Sequence, residues 1–155
     1  MTTETGRIAD QLERAFNGDA WHGPPLRTLL DDVDAVTAAA HPAPGAHSIW
    51  ELTVHAAFWL TVVRRRLAGE IVGESGDWQA VGDTSPSRWT ETLGALDESH
   101  QQLLAAVRAL SDVDLEQVVP SMGYTNYVML HGVVQHNLYH AGQIALLLRA
   151  SRART

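Results

Sequence analysis

Neither cysteine nor lysine occurs among the 155 residues of the chain. Without cysteine there is no disulfide framework, no thiolate metal site and no cysteine nucleophile. Without lysine there is no Schiff-base chemistry and no P-loop lysine. All 11 basic residues are arginine, and 18 acidic residues bring the net charge to -7. That balance disfavours nucleic acid or an anionic membrane surface as the main partner. Long apolar runs are missing as well. Residues 117–148 carry no charge, yet His131, Gln135, His136, Asn137, His140 and Gln143 interrupt them. So many polar side chains are costly in lipid, and the cleanest run, 144–148, is far short of the roughly 20 residues a span needs. The opening MTTETGRIADQLERAF lacks the apolar stretch of a secretory signal, so the expected location is the cytoplasm. Alternating strand patterns are absent too.

What is present is a chain with 45% apolar and 19% charged residues, enough to bury a sizeable core. Its length favours one domain, expected over residues 1–150, with 151–155 a disordered tail. The spacing predicts a first helix over 4–17, with Ile8, Leu12, Ala15 and Phe16 on one side and Gly18 as its stop. A Pro-rich loop follows, then a short helical stretch over 26–40, ended by His41-Pro42-Ala43-Pro44-Gly45. Ser48 with Glu51 three residues on forms a capping box and opens a helix to about residue 68, before Gly69. Residues 70–85 read as a long connection. Ser85-Pro86 starts a third long helix, on which Trp89, Leu93, Leu96, His100, Leu103, Val107 and Leu110 form a heptad seam. Thr125 caps a fourth over 126–150. Four amphipathic helices and no strands imply an all-α four-helix bundle, with a long crossover connection between helices 2 and 3.

Eight histidines concentrate the chemistry. His136 and His140 are four apart, so on a helix they stand one turn apart on one face. Such a pair can chelate one metal ion, or it can be two core or surface histidines with ordinary hydrogen bonds. His55, beside the apolar seam of its helix, is either a solvent-edge residue or a third imidazole reaching the pair across the bundle. The H-E-x-x-H protease motif fails, because Asn137 stands where the glutamate belongs. Glu51, one turn before His55, is a weak candidate for a catalytic base and a better one for a helix cap. His100 is expected to be buried and hydrogen-bonded. His131 falls off the chelate face, and His41 and His47 flank an exposed loop. Trp21 and His22 on their rigid loop either line a pocket mouth or anchor the loop hydrophobically; with Gln143 on the chelate face they are the substrate-pocket candidates. The five tryptophans are expected mostly in the core. Arg64-Arg65-Arg66 suits a solvated helix end.

HSIWELTVHAAFW together with HGVVQHNLYHAGQIALLL resembles the DinB-like superfamily, also called DinB/YfiT-like, over residues 18–148. The resemblance implies a four-helix bundle with a three-histidine divalent metal site. Its ligands carry over to His55, His136 and His140. Zinc or nickel is the expected ion, and homodimers are common among such proteins. Some relatives are thiol-dependent transferases using bacillithiol or mycothiol, and others are described as metal-dependent hydrolases. The expectation is therefore a metal-dependent transferase or hydrolase taking a small-molecule substrate, with a low-molecular-weight thiol as possible co-substrate. The competing expectation is a non-catalytic metal- or ligand-binding stress-response protein.

Overall fold

The computed structural model describes residues 3–153. Its helices begin where side chains can cap them. Thr3 opens α1 (Glu4–Phe16), accepting a hydrogen bond from the Gly6 amide. Ser48 and Glu51 close both halves of their capping box at the start of α4 (Ile49–Leu67). Ser85 precedes α5 (Pro86–Arg108), and Thr125 caps α6 (Asn126–Arg152). Helix ends follow backbone needs. At Gly18 an added Cβ would lie 2.8 Å from the Arg14 Cα, so only glycine lets the chain turn back there. Gly69, at φ +84°, ends α4 in the left-handed region.

Two expectations need correction. The stretch over 26–40 is two short helices, α2 (Leu26–Leu29) and α3 (Ala35–Ala39). Asp34 causes the break, because its carboxylate caps Thr37 N–H at 2.7 Å and starts a new helix. Residues 151 and 152, expected in a disordered tail, are helical. Ser151 and Arg152 still belong to α6, with the Ser151 hydroxyl donating to the Leu147 carbonyl. Arg154 and Thr155 lie outside the described residues. Among the described residues the only β feature is an isolated bridge between Val118 and Thr125. No helix among the described residues is long and apolar enough to cross a membrane.

α4 packs against α5 and α6, and α1 packs against the same two from the other side. The directions follow from side-chain pairs. Trp50 Nε1 donates to Thr92 Oγ1, and Thr61 Oγ1 to Ser99 Oγ, so α4 and α5 run parallel. Arg66 meets Tyr124 while His55 meets His136, so α4 and α6 run antiparallel. Thr5 bonds Asp112 while Phe16 stacks on His100, so α1 opposes α5. The order is up, down, down, up. Two parallel neighbours joined in sequence require a connection that returns the length of the helix, and residues 68–85 are that crossover. One core, including Leu12, Leu60, Leu96, Leu103, Leu130 and Ile144, fills the centre.

His100 sits in this core fully buried, but it is not hydrogen-bonded as expected. Neither ring nitrogen has a hydrogen-bond partner, Glu13 Oε2 lying 4.0 Å from Nε2, and the ring instead stacks on Phe16 with centroids 3.8 Å apart. Burial, with Arg108 adding to it, pushes the imidazole pKa down to about 4. The unfolded chain takes up this proton near its ordinary value of about 6.5, the folded chain only near 4. Stability from this group is therefore present above pH 6.5 and lost as pH falls toward 4. At pH 5 the loss is about 2 kcal/mol. We expect His100→Leu to flatten the fall in urea midpoint between pH 7.5 and pH 5, while His136, shifted the same way, contributes equally to variant and wild type. Parallel pH profiles for the two proteins would contradict this.

Candidate metal centre

The capping box fixes where α4 starts, and His55 follows on the side turned to α6. Antiparallel packing brings it level with His136 and His140, one turn apart on α6. The three rings meet through their Nε2 atoms. His136 Nε2 is 2.9 Å from His55 Nε2 and 3.1 Å from His140 Nε2. One ligand atom from each residue lies within 4.8 Å of the other two.

The outer nitrogens decide what the inner ones are. His55 Nδ1 lies 2.9 Å from the Asp77 carboxylate and 3.1 Å from the Asp77 carbonyl. Both are acceptors, so the proton of a neutral ring is on Nδ1 and the Nε2 lone pair points inward. His140 Nδ1 donates to Gln143 Oε1 at 2.7 Å, with the same result. Burial lowers the His136 pKa to about 4, helped by His140 and His55, so that ring is neutral at pH 7. Burial lowers His140 as well, against the opposing pull of Gln143. A proton on His136 Nε2 would bridge one of the two short gaps and leave lone pair facing lone pair across the other. A single cation satisfies all three at once. Zinc–imidazole bonds of about 2.0–2.1 Å put ligand nitrogens roughly 2.9–3.4 Å apart, a range that holds both pairs sharing His136. The donor set therefore fits a divalent ion of the kind imidazole prefers.

The crossover supplies the outer support. Gly76, at φ +95°, lies over the Phe58 ring, where an added Cβ would sit 3.7 Å from Phe58 Cε2. The next two residues then reach the histidines. Asp77 Oδ1 also accepts from Trp59 Nε1 at 2.6 Å, so one carboxylate ties together two residues of α4. Trp78 stacks flat between His55 and His47, at 3.9 Å and 3.6 Å. Sequence reasoning missed Asp77 and Trp78. The one available sign was an aspartate and a tryptophan directly after a glycine in the long connection.

The other expected site residues divide. Gln143 reaches the cluster, as a support for His140. Glu51 does not. Its Oε2 takes the Ser48 amide at 2.7 Å and His41 Nε2 at 3.2 Å, with His47 Nδ1 at 3.5 Å. Burial opposes the charged form, but the Ser48 and His41 hydrogen bonds outweigh it and hold the carboxyl below its usual range. It is a helix cap. Trp21 and His22 line a depression shared with α1 residues and with Val134 and Leu138, away from the histidine cluster. Trp21 is fully exposed there, because its Pro-rich loop carries it off the bundle. Of the five tryptophans only Trp50 and Trp89 are buried. Arg66 departs from the solvated reading of its triplet, being 4% exposed. It borders a cleft of about 280 Å³ that runs between α4 and α6 and has His136 in its wall.

Metal ligands whose outer nitrogen loses its partner bind less tightly, by about 10- to 100-fold. We expect Asp77→Ala to weaken zinc binding by that factor in a competition titration against a chromophoric chelator. Glu51→Gln should leave zinc affinity unchanged and lower the thermal midpoint through the lost cap. The reverse pattern would mean the roles of the two carboxylates have been exchanged.

A conserved protein from Enterococcus faecalis, known from its crystal structure, has the same fold, with a TM-score of 0.70 at 17% identity. The match covers 97% of this chain and 98% of that one. No curated protein matches the chain. The model of the DinB superfamily matches residues 21–144, which hold α2 to α5, all three histidines and the strap that supports them. The chain belongs to the DinB superfamily.

Proposed function

We propose that this protein is a metal-dependent enzyme acting on a small molecule, with one divalent ion, zinc or nickel, held by His55, His136 and His140. One observation carries the reading. Three Nε2 atoms face one another, while Asp77 and Gln143 occupy the outer nitrogens of two of the rings. Three neutral imidazoles leave coordination positions open, the pattern of catalytic zinc sites and not of structural ones. A divalent ion bound there lowers the pKa of a water or thiol that reaches it, and so supplies a nucleophile near neutral pH.

The chain's own residues do the positioning. Asp77 holds His55 in one tautomer and Gln143 does the same for His140. Trp78 shields one face of His55 from water. Trp59, Val63 and Val133 line the cleft beside His136 and desolvate an apolar substrate. With a low-molecular-weight thiol of the mycothiol or bacillithiol type, the reaction is S-transfer to an electrophilic carbon. The C–S bond forms, the leaving group departs with the bonding electrons, and the thiol proton passes to solvent. With water as nucleophile the reaction is hydrolysis.

A second reading has an observation in its favour. Asp77, the carboxylate on the trio, already accepts from His55 and Trp59 and is not free as a general base. That suits a protein that binds a metal or ligand without turning anything over.

Elemental analysis after incubation with zinc or nickel should give one ion per chain, and His55→Ala should lose at least nine-tenths of it. Undiminished metal in that variant would sink the assignment. A panel of thiols with monochlorobimane then separates the two readings. Saturable turnover that disappears with chelator supports the enzyme, and full metal with no turnover supports the binding protein.

A further inference from the structure

The cleft beside His136 is apolar on most of its wall, with Trp59, Val63, Val128, Met129 and Val133 contributing, yet its far end holds a buried guanidinium. Arg66 has no carboxylate partner among the described residues. Its Nε and Nη2 donate to the Val72 carbonyl at 3.3 and 2.9 Å, and its Nη1 donates to the Tyr124 hydroxyl at 3.2 Å. The carbon of the group lies 5.6 Å from the Trp59 ring centre. Neutral oxygens and a ring face orient this cation without neutralising it. Three of its contacts use three N–H groups, and a guanidinium has five. Burying an uncompensated charge is expensive, and the usual remedy is an anion.

Tyr124 adds a second donor. Its oxygen accepts from Arg66, so its own hydrogen is free to point elsewhere, and both residues line the cleft. At about 280 Å³ the space is at the small end of ligand cavities. Two donors at one end match a flat, singly charged group with two oxygens better than a phosphate with three.

We propose that Arg66 and Tyr124 form an anion subsite, and that the substrate is a small, largely apolar carboxylate whose charged end docks there with its reacting end beside His136. This deepens the proposed function and rests on it for the reaction, though the subsite itself does not require a metal.

The test uses the protein both metal-free and zinc-loaded, with 4-phenylbutyrate and its uncharged amide as probes and heat of binding by titration calorimetry as the readout. Zinc content is measured on the same samples. Both forms should bind the acid at least tenfold more tightly than the amide. In Arg66→Gln the preference should fall to near unity with zinc content retained. Tyr124→Phe, which keeps the ring and the cation, should reduce it severalfold. Gly132 lines the cleft, and a Cβ added there meets nothing within 4 Å, so Gly132→Leu should fill the space and abolish binding of both probes. If Arg66→Gln does not fold, Tyr124→Phe and Gly132→Leu decide. Equal binding of acid and amide overturns the proposal. So does an acid preference that appears only with zinc, or wild-type binding in Gly132→Leu. Acid preference in a protein that takes up no zinc leaves the subsite standing and removes the metal-dependent reading instead.

Discussion

Two imidazole lone pairs 2.9 Å apart repel unless something positive lies between them, and this protein holds three such nitrogens together. The arrangement is costly in isolation. Each ring has given up water, and two have their only proton turned outward to Asp77 or Gln143. The bundle holds them there because the apolar packing of α4 against α6 fixes both backbones regardless of what the rings prefer. Ala56 and Leu60 on one helix and Ile144 on the other are fully buried members of that core. An ion that binds the folded form alone would add stability that grows with the logarithm of its affinity.

The topology explains why the support for His55 comes from where it does. Because α4 and α5 are parallel neighbours, the chain must travel back along the bundle between them. That return path passes the middle of α4, where His55 sits. Gly76, at φ +95°, lets the strap turn there, and Asp77 arrives at the outer nitrogen. A direct hairpin between the helices would have left that nitrogen to water. The crossover is therefore part of the site as well as part of the fold.

Much of this was legible in the residues, for identifiable reasons. Helix starts showed because Ser48, Ser85 and Thr125 cap through their own side chains, a local interaction visible in sequence. The crossover was implied by the length of the 70–85 segment. The pairing of His136 with His140 is a one-turn spacing, which any helix enforces. Asp77 and Trp78 were not legible, since their position depends on a glycine turn and on a path through space, not on periodicity. Arg66 was hidden in a triplet that looked uniformly solvated. Successive helical residues point about 100° apart, so one of three adjacent arginines can face inward while its neighbours stay at the surface. Trp21 and Trp78 failed the core expectation because both lie on connections, where size alone does not bury a ring.

The charges around the centre explain why the site and the whole chain differ in sign. The protein carries a net charge of -7, yet α6 brings no carboxylate to the cluster, as residues 117–148 have none. Asp77 is the one carboxylate hydrogen-bonded to the trio. Three neutral rings leave a divalent ion its full charge, and Asp77 offsets only half of it. Arg66, across Trp59 from His136, adds a further positive charge with no acidic partner. With a divalent ion bound as proposed, the interior between α4 and α6 would be locally positive inside an acidic protein. In a low-dielectric cleft such a field acts far more strongly than surface charge screened by salt. Neutral molecules gain nothing from it, and cations are repelled. The proposed ion and Arg66 would together favour a small anion there, and the apolar lining of Trp59, Val63 and Val133 would suit a hydrocarbon body on that molecule.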